Sequence, residues 1–126
     1  VPARHLADEG RCGACQGALP PLEAPLDVDA ALFDEIVSGA RVPVLVDFWA
    51  AWCAPCRAAA PEVAAAARAM AGRALVLKVD TEREAELAAR FGVSGIPHFE
   101  VFRGGESVRG RSGYRTRGQL ESFTLG

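Results

Sequence analysis

One junction constrains this chain of 126 residues more than any other feature. Val44-Leu45-Val46-Asp47-Phe48-Trp49-Ala50 is a nearly continuous apolar run of strand length, and such a run fits a central strand covered on both faces. Ala51 and Trp52 carry it into Cys53-Ala54-Pro55-Cys56. The alanine-rich stretch from Pro55 to Ala71 follows, with Val63 and Met70 among the alanines, and reads as a helix.

The pattern continues on both sides of that junction. Residues 27–38 place Val28, Leu32, Phe33, Ile36 and Val37 at helical spacing and end at Gly39. Leu75-Val76-Leu77-Lys78-Val79 reads as a second buried strand, and Glu82 to Phe91 as a helix closed by Gly92. After Pro97, strands over 98–103 and 106–112 meet at Gly104-Gly105 as a hairpin. Thr116 has the chemistry of an N-cap for a last helix through Phe123. Strand–helix–strand units followed by a hairpin and a helix predict an α/β fold: a central mixed sheet with helices on both faces.

Residues 1–19 differ. They hold Gly10, Gly13 and Gly17 and few large apolar side chains, and Leu19-Pro20-Pro21-Leu22-Glu23-Ala24-Pro25 then reads as a stiff linker. The expected division is a short segment over 1–20 and a folded domain over 21–126. Half the residues are hydrophobic, enough for a core without disulfide staples. A formal net charge of −2 argues against a general nucleic-acid binder. No apolar run approaches the roughly 18 residues that span a bilayer, so no membrane partner is expected. No signal-peptide pattern is visible, and because the sequence starts at Val1 the natural N-terminus is expected upstream.

The four cysteines form two Cys-x-x-Cys pairs, Cys12/Cys15 and Cys53/Cys56. Paired spacing in a chain with a good apolar core points to redox or metal chemistry rather than to a secreted disulfide scaffold. At the second pair, Pro55 suits the first turn of a helix, which puts Cys53 at the helix N-terminus. Unpaired N–H groups and the helix dipole there favour a thiolate, the nucleophile of disulfide exchange. Cys56 lies one turn on along the same face, a spacing compatible with the Cα separation of about 4.4–6.8 Å that a disulfide needs. Cys53 is therefore expected to attack a substrate disulfide and Cys56 to resolve the mixed disulfide. The alternative joins all four cysteines in one zinc site. Its gap, residues 16 to 52, is far longer than the roughly 15–20 residues of a single ribbon.

Residues 21–126 resemble the thioredoxin family through Val46-Asp-Phe-Trp-Ala-Ala-Trp-Cys-Ala-Pro-Cys56, Lys78-Val-Asp80, Phe91-Gly-Val93, Gly95-Ile-Pro97 and Phe102-Arg-Gly-Gly105, in the family's order. The resemblance implies further roles. Asp47 matches a buried acid beneath the cysteines, able to take the Cys56 proton through water, and Lys78 matches a lysine near that acid. Pro97 matches a cis-proline packed against the disulfide, with the Ile96 backbone offered to an extended substrate. Trp52, Ala54, Pro55, Ile96, Pro97 and Gly113 would form the docking surface, and Pro61 would kink the active-site helix. Two positions depart from the family. Ala54 replaces a glycine between the cysteines, and His98 replaces the threonine after the cis-proline. His98 fits either an electrostatic tuning role or a partly exposed histidine paired with Glu100, which shares its strand face.

Cys12-Gly13-Ala14-Cys15 with Gly17 resembles a zinc knuckle. Thioredoxins of a second bacterial type carry an N-terminal zinc ribbon with two such pairs. The resemblance implies that Cys12 and Cys15 are half of a four-cysteine structural zinc site whose first pair lies upstream of Val1. His5 fits either an extra ligand or, as a lone histidine more often is, a solvated side chain. The alternative to the preferred zinc reading is a disordered tail with two free or bridged thiols. The function so implied is a cytoplasmic protein-disulfide reductase with no catalytic cofactor beyond its own dithiol. Its partners would be disulfide-containing proteins and an NADPH-dependent thioredoxin reductase. The alternatives are a periplasmic oxidant or isomerase, which usually carries a histidine between its cysteines, and a redox-inert zinc-binding module.

Overall fold

The computed structural model describes residues 23–126. The expectations for His5, Cys12, Cys15 and a boundary near residue 21 lie outside the described residues. The chain runs β1 (Leu26–Asp27), α1 (Ala30–Gly39), β2 (Val44–Trp49), α2 (Ala54–Ala69), β3 (Leu75–Asp80), α3 (Ala85–Arg90), β4 (His98–Arg103), β5 (Glu106–Ser112) and α4 (Arg117–Leu125). Its five strands form one mixed sheet in the order β1-β3-β2-β4-β5, with β3 parallel to β1 and β2, and β4 antiparallel to β2 and β5.

Strand alternation on β2 divides the core. Val44, Val46 and Phe48 pack with Phe33 and Ile36 of α1 and Leu87 of α3. Leu45 faces the other way, into a cluster with Ala59 and Val63 of α2 and Leu120 of α4. Both faces of β2 are therefore buried, as its nearly continuous apolar run implies. Phe33, Phe91 and Phe102 close the first cluster edge to face, with ring centroids 5.2–5.6 Å apart. Alanine gives α2 high helix propensity and lets it lie close to the sheet. Pro61 sits inside α2 without ending it.

Local chemistry moved several boundaries. The expected helix over 27–38 is instead a short strand followed by α1. Val28 N–H donates to the Lys78 carbonyl at 3.1 Å just past β1, and its side chain packs in the cluster that holds Phe33, Ile36 and Val37. Asp29 then caps α1, its carboxylate accepting from Leu32 N–H at 2.8 Å. The helix expected from Glu82 begins at Ala85, because Asp80 Oδ1 captures the Glu82 N–H at 2.9 Å and holds a turn. The β4–β5 hairpin turns on Gly104 and Gly105, whose φ values of +60° and +85° suit a two-residue hairpin loop. Thr116 caps α4 in a reciprocal capping box with Gln119. Among the described residues, no helix is long and apolar enough to cross a membrane.

Candidate active site

β2 ends at Trp49 and α2 begins at Ala54, so Cys53 falls at the N-cap. Its Sγ accepts from the Cys56 N–H at 3.2 Å, one of the donors that a helix start leaves without an intrahelical partner. Pro55, in the first turn, had no N–H to leave unpaired. Cys53 and Cys56 form a disulfide with a Cα–Cα separation of 5.2 Å. Both are 4% exposed and pack with Ala50, against Trp49 and Ile96. The turn between strand and helix is held by Cys53 N–H on the Ala50 carbonyl at 3.2 Å and by Arg57 Nη1 on the Ala51 carbonyl at 2.9 Å.

The Ile96–Pro97 peptide bond is cis. The segment before β4 lies against the disulfide, with the Ile96 carbonyl oxygen 3.7 Å from Cys53 Sγ. Gly113 N–H donates to the Pro97 carbonyl at 2.8 Å, so the end of β5 lies alongside this segment. Trp52 is 66% exposed, and its Nε1 donates to Glu82 Oε2 at 2.8 Å, which fixes the indole at the rim. Ala54 and Pro55 are exposed beside it. The expected docking residues thus gather around the face of Cys53.

Asp47 is only 2% exposed, and its Oδ1 has no hydrogen-bond partner among the described residues. It shares the α2 side of β2 with Leu45. Burial pushes its carboxyl from 3.8 up to about 7, against the pull of the Lys78 ammonium and with a smaller push from Asp27. Lys78 is the register partner of both acids, Asp27 on β1 and Asp47 on β2. Its Nζ rests 4.5 Å from the centroid of the Trp49 ring.

His98 proves to be paired with Glu100, Nε2 to Oε1, at 2.6 Å. Sequence reasoning missed Ser107 and Ser112, which also bond to this pair, and Glu82, which steadies Trp52. Glu82 was read as the start of a helix, so nothing local marked it as a partner for Trp52.

The comparisons with known proteins agree with this geometry. A family model described as Thioredoxin matches residues 24–125. The chain is 39% identical over 99 residues to a thioredoxin of Alicyclobacillus acidocaldarius, covering 79% of this chain and 93% of that protein. It is 40% identical over 87 residues to Thioredoxin 1 of a Nostoc species, covering 69% and 81%. Among solved structures, a mutant thioredoxin from Halobacterium salinarum superposes with a TM-score of 0.77 at 32% identity, over 86% of this chain and 93% of that one. With a Cys-x-x-Cys disulfide at the N-terminus of α2 and a cis-proline segment against it, this chain belongs to the thioredoxin family of protein-disulfide reductases.

Proposed function

We propose that Cys53 is the attacking thiol, Cys56 the resolving thiol and Asp47 the proton acceptor of this disulfide reductase. The observation that carries the assignment is the position of Cys53 Sγ, at the helix N-cap and 3.7 Å from the Ile96 carbonyl. The Cys53 thiolate attacks one sulfur of the substrate disulfide, forms a mixed disulfide and expels the other substrate sulfur as a thiolate. Cys56 then gives its proton to Asp47, and its thiolate attacks Cys53 Sγ. The Cys53–Cys56 disulfide forms, and the second substrate thiolate leaves. Two electrons pass from the dithiol to the substrate.

An extended polypeptide lies along Ile96, with Trp52, Ala54, Pro55, Pro97 and Gly113 around it. Such flat contact suits a macromolecular substrate. The cleft lined by Asp27, Trp49, Lys78, Asp80, Arg83 and Glu84 contains neither cysteine. Lys78 sets the charge around Asp47. The chain works in the cytoplasm, where an NADPH-dependent thioredoxin reductase returns the disulfide to the dithiol. Ala54-Pro55 lacks the thiolate-stabilising histidine of an oxidant, which favours reduction.

Residues 1–20 form a segment separate from the domain over 21–126, a reading supported by the Pro-rich stretch and by a family match that starts at residue 24. Cys12 and Cys15 fit zinc in donor chemistry, since both offer thiolates, but they fill half of a tetrahedral shell. No group of His, Cys, Asp and Glu among the described residues could hold a metal. Completed by two further thiolates, a zinc at this pair would have four protein ligands and no open position, the mark of a structural site.

Reduction of insulin disulfides, with thioredoxin reductase and NADPH as the electron source, tests the reading. Steady NADPH consumption that needs both insulin and the chain is expected. Consumption independent of the chain contradicts it.

A further inference from the structure

Behind Pro97, β4 and β5 carry a chain of polar side chains that the thiol chemistry does not use. His98 Nδ1 lies 2.9 Å from Ser112 Oγ, and Nε2 lies 2.6 Å from Glu100 Oε1. The Ser107 hydroxyl donates to the other oxygen of Glu100, and the Ser112 hydroxyl donates to the Gly95 carbonyl at 3.2 Å. The side chains of His98 and Glu100 are only 12% and 11% exposed. Space is kept for them. A Cβ on Gly110, the register partner of Glu100, would overlap the Glu100 carboxylate and come within 3.1 Å of His98 Nε2.

The Ser112 hydroxyl has one hydrogen, which goes to the Gly95 carbonyl, and its oxygen lies against His98 Nδ1. Glu100 accepts from Ser107 at one oxygen and faces His98 Nε2 with the other. The imidazole therefore spans the gap between a held carboxylate and Ser112, and the Glu100–His98 pair sets where the Ser112 hydroxyl sits beside Gly95.

The consequence falls on Ile96. Both of its neighbours are tied to the end of β5, Gly95 through the Ser112 hydroxyl and Pro97 through Gly113 N–H. Only the first tie depends on side chains. We infer that His98, Glu100 and Ser112 are positioning residues that set the Ile96 backbone for polypeptide disulfides, making the enzyme selective for these over small disulfides. The inference rests on the docking role given to Ile96 above.

The test compares Ser112→Ala, Ser112→Thr and Gly110→Ala with the parent. Each protein is pre-reduced, and its rate of oxidation is read with insulin and with hydroxyethyl disulfide, which has no backbone to lay along Ile96. Losing one hydrogen bond that orders the site should slow the insulin reaction of Ser112→Ala about three- to tenfold, and that of hydroxyethyl disulfide less than about twofold. Ser112→Thr keeps the hydroxyl and should restore the insulin rate, and Gly110→Ala should repeat the selective loss by displacing the pair. Equal losses on both disulfides, or no loss on insulin in Ser112→Ala, overturn the inference. A parent that reduces neither disulfide overturns the reductase mechanism itself, and the inference with it.

Discussion

Asp47 and Lys78 are register partners on adjacent parallel strands, yet the lysine does not hold the acid in its ordinary range. Burial outweighs the ammonium, and the Asp47 carboxyl stands at about 7. A second acid, Asp27, flanks the same lysine from β1 and adds a smaller push upward.

That imbalance predicts how stability depends on pH. The folded pKa of Asp47 is raised, so its contribution is fully present below about pH 4 and is lost as pH rises through about 7. The loss is on the order of 4 kcal/mol at about 1.4 kcal/mol per pH unit. Asp47→Asn should remove most of this slope and be more stable than the parent at pH 8. Urea unfolding of both proteins from pH 4 to pH 9, in the oxidised state, reads it. Parallel curves would mean that Asp47 titrates normally.

Asp47→Asn should also slow resolution by Cys56 more than initial attack by Cys53, since it removes a buried proton acceptor and leaves the N-cap thiol in place. Rapid-mixing measurement of the two steps separates them. Equal rates for variant and parent across pH 6 to 9 would remove Asp47 from the mechanism.

Lys78→Met takes away the charge that lowers the Asp47 pKa, so that pKa should climb further. The pH at which resolution becomes fast should move upward with it. A pH profile of resolution that coincides with the parent's would separate Lys78 from the site.

Phe33 meets Phe91 and Phe102 edge to face and is 1% exposed. Phe33→Ala should cost about 3–5 kcal/mol of stability, because it opens a cavity that its rigid neighbours fill only partly. Urea unfolding with an unchanged m-value checks this, and a loss below about 1 kcal/mol would show that the cluster repacks.

The central junction was legible because two periodicities meet there. The nearly continuous apolar run of β2 implied burial on both faces, and Cys-x-x-Cys with Pro55 implied a helix start. The edges were less legible. Val28 has the spacing of the α1 stripe and packs with it but precedes the helix, its N–H bonded to the Lys78 carbonyl beside the sheet edge. The Asp80 turn that delays α3 is a side-chain capture with no hydrophobic signature. The His98 cluster was half visible. Glu100 shares its strand face, but Ser107, Gly110 and Ser112 come from β5, whose register with β4 shifts at Val101 and Phe102. Local alternation does not reveal cross-strand partners past such a shift.

At the N-terminal pair, metal analysis of the natural full-length protein beside its Cys12→Ser/Cys15→Ser variant tests the zinc proposal, since this pair alone supplies two of four ligands. Zinc that falls with the substitutions is expected, with reductase activity kept. Equal zinc content in the two would show that the pair is not a metal site.

The most direct measurement is trapping of the mixed disulfide. Cys56→Ser, pre-reduced and mixed with insulin, should accumulate a covalent adduct whose peptide map places the bond at Cys53, while Cys53→Ser yields no adduct and no turnover. An adduct on Cys56, or a Cys56→Ser protein that turns over like the parent, would contradict the assignment of the two thiols.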